Sequence, residues 1–230
     1  MATLLVIQAH PHTDVTSMSM EVGKEFIKSY RQSHPDDKII ARDLYAKEGV
    51  PPLNDMTMEA WRKQKFGEQL SEDEENLLKR HADWLDEFIK ADKYVFINPM
   101  YNHFLPAEMK QYLDLTAVAH KTFKYNSDGS STGLLKNKKV LHIQSSGSEY
   151  HKGGTWANIK FVLAKAVGKQ PKTKCALQDV GSTYLNGMMS FYGIDNVEHL
   201  YVEGGDAHRD QREQILNSAK AKARKLGQEF

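Results

Sequence analysis

The chain has 230 residues, with 31 Lys and Arg against 30 Asp and Glu, a formal charge of +1 and a single cysteine. Such balance gives no global attraction toward nucleic acid or an acidic membrane, and one thiol excludes an internal disulfide framework or a multi-thiolate metal site within one chain. The chain enters an apolar run at once without a signal-like segment, and no stretch approaches the ~20 apolar residues of a membrane span, so a soluble cytoplasmic protein is expected.

In chain order, a buried-strand run over 3–9 is followed by the loop His10-Pro-His-Thr-Asp-Val-Thr-Ser-Met-Ser19 and a helix over 17–32. A strand over 38–44 leads into an interruption at 46–70, which opens with Gly49-Val-Pro-Pro52 and carries a short helical pattern around Met58–Phe66. Ser71-Glu-Asp-Glu74 is a capping box that opens a helix over 71–91, with Leu77, Leu78, His81, Leu85, Phe88 and Ile89 on one face. A strand over 93–98 runs into Pro99-Met-Tyr-Asn-His103, and an amphipathic helix over 106–119 opens at Pro106. Phe123-Lys-Tyr125 to Leu134-Leu135 reads as a small hairpin whose turn contains Asp128-Gly129. A strand over 139–144 ends in Ser145-Ser-Gly-Ser148, followed by a second interruption at 149–178 with six lysines against Glu149. This segment reads as a solvated loop and helix, with a lid or a basic contact for a nicotinamide phosphate as the alternative. A helix over 180–193, a strand over 197–202 and a helix over 208–227 complete the chain.

Continuous apolar runs alternating with helices indicate βαβ units around a parallel sheet covered on both faces. Ligands of such sheets bind at the carboxyl ends of the strands, and three polar turns fall there. The first precedes a helix whose N-terminal amides suit a phosphate. Ser17 and Ser19 add hydroxyls, although helix capping uses the same groups. In the second, Met100 and Tyr101 offer soft surfaces to a flat ring. The third is the run of serines and glycine at 145–148. A rival reading uses His10-x-His12-x-Asp14, which imitates the start of the H-x-H-x-D-H signature of metal-dependent hydrolases. Val15 stands where the last histidine belongs, so no metal site is assigned. No dinucleotide glycine fingerprint, Walker loop, zinc-protease motif or serine elbow occurs. Cys175 reads as an ordinary thiol.

The stretch 99–144 carries P-M-Y-N, P-A-E-M-K-Q-Y-L-D-L, F-K-Y and G-L-L-K-N-K-K-V in order and runs into the serine turn. With Tyr184-Leu, Phe191-Tyr-Gly-Ile-Asp-Asn-Val-Glu and Val202-Glu-Gly, it resembles the FMN-dependent NADH-azoreductases and NAD(P)H:quinone oxidoreductases. Some relatives have carried an acyl-carrier-protein phosphodiesterase label. The resemblance covers nearly the whole chain, least well at 46–90 and 149–178. It implies a single flavodoxin-like domain over 1–230, a doubly wound five-stranded parallel sheet of order 2-1-3-4-5, with insertions near 46–70 and 149–178.

It further implies two-electron, ping-pong transfer from NADH or NADPH to quinones and azo compounds by a homodimer. His10, Ser17, Met18 and Ser19 map onto the phosphate loop, Pro99, Met100, Tyr101, Asn102 and His103 onto the isoalloxazine turn, and Ser145, Ser146, Gly147 and Ser148 onto the pyrimidine-end turn. Tyr125 and Phe191 map onto aromatic walls of the substrate space. The chain departs from the family at His10, usually serine; at His103, usually phenylalanine; and at Ser146 and Ser148, where the pattern is Ser-Arg-Gly-Gly. A flavodoxin-type electron carrier is the other alternative, against which stand the near-neutral charge and the long insertions.

Overall fold

The computed structural model describes residues 1–11, 17–151 and 178–230. Five parallel strands form the sheet: β1 (Thr3–Gln8), β2 (Lys38–Asp43), β3 (Lys93–Pro99), β6 (Lys139–Ser146) and β7 (Val197–Glu203). Their order is β2-β1-β3-β6-β7, which is the expected 2-1-3-4-5 when only sheet strands are counted. A separate antiparallel pair, β4 (Phe123–Tyr125) and β5 (Ser131–Gly133), is the predicted hairpin. Gly129 takes the left-handed conformation at φ 85°, and Asp128 Oδ1 accepts from the Ser130 amide at 2.9 Å.

Alternation along the strands sorts side chains onto two faces. Leu5, Ile7, Tyr94 and Phe96 point toward α3 (Glu72–Lys90), α4 (Ala107–Thr116) and α5 (Val180–Tyr192), where Phe88, Tyr112, Leu113, Leu185 and Tyr192 complete one core. Leu4, Val6, Val95, Ile97, Leu141 and Ile143 point the other way. They meet Val22, Phe26 and Tyr30 of α1 (Met18–Ser33) and Ala219 and Ala223 of α6 (Arg212–Glu229). Both faces are covered, so the strands tolerate apolar residues at every position, which is why their sequences read as continuous runs.

The local signals fall close to where they were expected. Ser71 and Glu74 make the reciprocal cap, at 3.3 Å from the Glu74 amide and 2.8 Å from the Ser71 amide. Leu77, Leu78, His81, Leu85 and Phe88 are buried on the expected face. The helix of the first interruption, α2, spans Asp55–Phe66, starting earlier than its apolar pattern. The reason is a second capping box, in which the Asn54 side chain accepts from the Thr57 amide at 3.1 Å. Pro52 is tied to α3 by His81, whose Nε2 lies 3.1 Å from the Pro52 carbonyl. A 3-10 turn at Arg209–Gln211 precedes α6, which begins at Arg212 because the chain from β7 first closes the Gly204–His208 loop. Most of the second interruption, with Cys175, and the loop positions His12 and Asp14 lie outside the described residues. Among the described residues, no helix is long and apolar enough to cross a membrane.

Candidate active site

The ends of β1, β3, β6 and β7 are laced together by backbone hydrogen bonds. The Ala9 amide donates to the Ile97 carbonyl at 2.9 Å, and the Met100 amide to the Ser145 carbonyl at 2.7 Å. The Gly147 carbonyl accepts from Asp206 and Ala207 at 3.0 and 2.9 Å. This rim carries the three sequence-predicted turns side by side. His10 follows β1 there, and Ser17 caps the start of α1.

At the start of α1, the Ser17 and Ser19 hydroxyls are 3.0 Å apart, and Ser19 is fully buried. The Met20 amide reaches Ser17 Oγ only at 3.5 Å, a weak cap. The first turn of any helix leaves its leading amides without intrahelical partners, and the positive end of the dipole faces outward with them. This is an anion site in chemical character. Met18 turns its side chain inward, so that a Cβ on Gly205 would lie 2.7 Å from Met18 Sδ. The Gly204–Gly205 stretch therefore belongs to the rim, although its only sequence signal is a pair of glycines after the last strand.

Tyr101-Asn-His-Phe104 is a tight reversal. The Tyr101 and Phe104 amides each donate to the other's carbonyl at 2.9 Å, while Asn102 and His103 take φ of 51° and 66°. Two successive left-handed residues closed by paired bonds are the pattern of a type I′ turn. Asn favours that region, whereas His adopts it at a cost of about 1 kcal/mol or more. The turn is held from outside, since the His103 carbonyl accepts from the Val180 and Gly181 amides at the start of α5, at 3.1 and 3.2 Å. The His103 ring meets Tyr150 edge-on at 5.5 Å. Tyr101 is 39% exposed at the rim, and partial burial followed by the Glu108 charge keeps its phenol above the usual range and protonated.

The remaining predicted residues divide. Pro99 and Ser145 are buried at the strand ends, and Ser146 spends its hydroxyl on the Ser148 carbonyl at 2.8 Å. Gly147 packs on Asp206: a Cβ there would lie 2.4 Å from Asp206 Oδ2 and would displace that exposed side chain. Tyr125 and Phe191 are not brought to the rim within one chain. The β4–β5 hairpin lies between the end of α4 and the start of β6, at the opposite end of the sheet. There Phe123 packs on Tyr125 at 5.3 Å and on Phe191 at 4.3 Å between ring centroids. Phe191 is about 16 Å along α5 from the Val180 contact, by helical rise.

Sequence reading missed a buried polar cluster directly behind the turn: Asn98, His142, Gln144, Asp179 and Ser182. Its available signals were Asn98 and Gln144 at the ends of otherwise apolar strands, and Asp179-x-x-Ser182 at a helix start.

With this geometry in hand, a family model for the flavodoxin-like fold matches residues 2–226. The chain belongs to the flavodoxin-like family. Within that family it is 50% identical over 230 residues to FMN-dependent NADH:quinone oxidoreductase 2 of Lactiplantibacillus plantarum, covering 100% of both chains. It is 43% identical over 233 residues to FMN-dependent NADH:quinone oxidoreductase 1 of Lactococcus lactis subsp. lactis, again covering 100% of both. Among solved structures it is similar to the azoreductase of Bacillus anthracis str. Sterne, with TM-score 0.80 and 28% identity over 100% of both chains. It is also similar to an FMN-dependent NADH-azoreductase of Bacillus anthracis str. Ames Ancestor in complex with FMN, with TM-score 0.79 and 28% identity over 99% of this chain and 100% of that one.

The donor set at the rim fits a flavin mononucleotide. Outward amides and two hydroxyls at α1 suit a phosphate monoester, and Met100 and Tyr101 beside a rigid turn suit a flat ring with heteroatoms on its edge.

Proposed function

We propose that the protein is an FMN-dependent oxidoreductase that carries two electrons by ping-pong turnover from NADH or NADPH to quinones and azo compounds. The observation that carries this reading is the convergence of a helix N terminus and a rigid aromatic-bearing turn on one rim, in a chain related end to end to NADH:quinone oxidoreductases.

In this reading His10, Ser17, Met18 and Ser19 hold the FMN phosphate. Pro99, Met100, Tyr101, Asn102 and His103 orient the isoalloxazine, and Ser145, Ser146, Gly147 and Ser148 border its pyrimidine end. Bound FMN supplies the redox chemistry, so no nucleophile–base pair is required of the protein. The protein's work is to bind, orient and shield. Aligned amides at α1 stabilise the phosphate dianion, and the bonded turn presents its backbone without rearranging. Ring stacking needs no specific hydrogen bonds, which accounts for broad acceptance of flat acceptors.

The protein is further inferred to be a cytoplasmic homodimer with a single flavodoxin-like domain per chain. Helices α4 and α5 supply the subunit contacts. Tyr125 is 66% exposed at the far end of its own sheet. Tyr125 and Phe191 serve the substrate space only if a second subunit brings them over its partner's rim.

The test is the visible spectrum of protein loaded with FMN and filtered free of excess, then treated anaerobically with NADH. Absorption retained near ~450 nm that bleaches with NADH and returns with a quinone is the expected result. Retained flavin that neither NADH nor NADPH bleaches identifies an electron carrier instead. Loss of all flavin overturns the reading and directs attention to a metal assay on the His10-x-His12-x-Asp14 loop.

A further inference from the structure

The polar residues buried behind the turn form a hydrogen-bond chain with one permitted direction. Asn98 Nδ2 donates to the Pro99 carbonyl at 3.0 Å and to Gln144 Oε1 at 3.3 Å. A backbone carbonyl can only accept, so the Asn98 amide cannot be flipped, and its Oδ1 must face His142 Nε2 at 2.9 Å. That nitrogen therefore carries the imidazole proton. Complete burial holds the His142 pKa well below its ordinary value, so the ring is neutral and its Nδ1 bears a lone pair; Ser182 Oγ lies 3.4 Å away, but its one proton goes to Asp179. Gln144, with its oxygen committed to Asn98, presents its NH2 to Asp179 Oδ2 at 2.6 Å and to Ser182 Oγ at 3.2 Å. The chain ends on the Asp179 carboxylate, which also accepts the Ser182 hydroxyl at 2.6 Å.

Asp179 is only 5% exposed. Its Oδ1 caps α5 by accepting from the Ser182 amide at 2.9 Å. The two amides before that one, Val180 and Gly181, hold the His103 carbonyl. One carboxylate thus joins the ends of β3 and β6 to the helix start that grips the left-handed turn. Beyond this run of bonds, His151 Nε2 lies 3.7 Å from Asp179 Oδ2 and its Nδ1 2.7 Å from Glu203 Oε1. A helix start needs only a neutral cap. A buried carboxylate wired to a glutamine and an asparagine is costly if packing were its sole purpose.

We propose that Asp179 is a positioning residue of the flavin reaction, setting through Gln144 and the α5 amides the geometry of the Asn102–His103 turn. The proposal rests on the reading of that turn as part of the FMN site. It acts through the turn and not by touching substrate.

The experiment compares D179N, Q144E and the double variant D179N/Q144E with the wild type, each as the full chain. Asn caps a helix as well as Asp, but at position 179 its NH2 replaces Oδ2 and meets the Gln144 NH2, donor against donor. The double variant restores the match, since a carboxylate at position 144 accepts both from Asn98 and from the amide introduced at position 179. Three quantities are read: FMN dissociation constant, midpoint potential of bound FMN, and hydrogen exchange of the 101–104 amides in flavin-free protein. D179N is expected to weaken FMN about tenfold, to shift the potential and to speed exchange in the turn, with the double variant recovering all three.

Lower thermal stability of D179N with unchanged FMN affinity, potential and exchange reduces Asp179 to a structural cap and overturns the proposal. A folded double variant that recovers none of the three also overturns it. Wild-type protein that binds no FMN overturns the cofactor reading itself, and this inference with it. Faster turn exchange in D179N would then remain as a purely structural coupling.

Discussion

The carbonyl of His103 accepts from Gly181 at 3.2 Å, and Gly181 has no room for a side chain: a Cβ there would lie 2.8 Å from the Leu105 nitrogen and 2.9 Å from the Phe104 carbonyl carbon. Helix α5 therefore starts in direct backbone contact with the turn that follows β3. Gly181→Ala sets a methyl against main chain that cannot rotate away, an overpacking expected to cost about 1–3 kcal/mol. Melting temperature and retained FMN should fall together, as read by thermal denaturation and absorbance after filtration. A variant with wild-type values of both would show that the contact relaxes without consequence.

Tyr101 contributes its main chain to the turn and its ring to the rim, so the two roles separate by mutation. Tyr101→Ala leaves both hairpin bonds in place and removes the ring surface. The expected outcome is FMN binding weakened by about 1 kcal/mol, roughly fivefold, with the melting temperature of flavin-free protein nearly unchanged. Tyr101→Phe should retain most of the affinity. Titration of flavin fluorescence measures both, and full flavin occupancy in purified Tyr101→Ala would count against the site.

The cap of α3 offers a contrast in which stability moves and flavin does not. Ser71→Ala removes the hydroxyl bonded to the Glu74 amide at 3.3 Å. About 1 kcal/mol of stability should be lost. Urea denaturation reports that loss, and FMN affinity should stay within about twofold because α3 reaches the turn only through the shared core.

Acid stability should depend on Asp37. Its carboxylate accepts from the Ala2 amide at 2.6 Å and the Tyr30 hydroxyl at 2.6 Å, with Lys93 Nζ at 3.6 Å. The Ala2 bond first, then Tyr30, depress its pKa to about 2. A carboxylate depressed in the folded state stabilises fully above its unfolded pKa, near ~3.9, and loses that contribution as pH falls through the folded value. Asp37→Asn should therefore be less stable than wild type near neutrality, with the difference shrinking from about pH 4 toward about pH 2. Urea midpoints across that range test it, and a difference independent of pH would refute the assignment.

The elements, their succession along the chain and the three turns at the strand ends are legible in the residues alone. Those signals are local. Apolar runs such as Val140–Ile143 mark strands covered on both faces, Ser71 and Glu74 satisfy amides within one helical turn, and the strand order was implied by the family resemblance. The Asn54 cap is equally local, but it lies ahead of the apolar pattern of α2, which begins later. Which polar groups meet depends on how distant segments pack. Asn98 reaches Gln144 across 46 positions and Gln144 reaches Asp179 across 35, because the β3–β6 register sets residue 98 beside 144 and packing of α5 delivers the carboxylate. Tertiary structure likewise separated Tyr125 and Phe191 from the turn, because a hairpin inserted between a helix end and a strand start lies at the amino-terminal end of a parallel sheet, opposite the rim. Periodicity records which face a side chain takes, whereas hydrogen-bond partners are chosen by register and packing between distant segments.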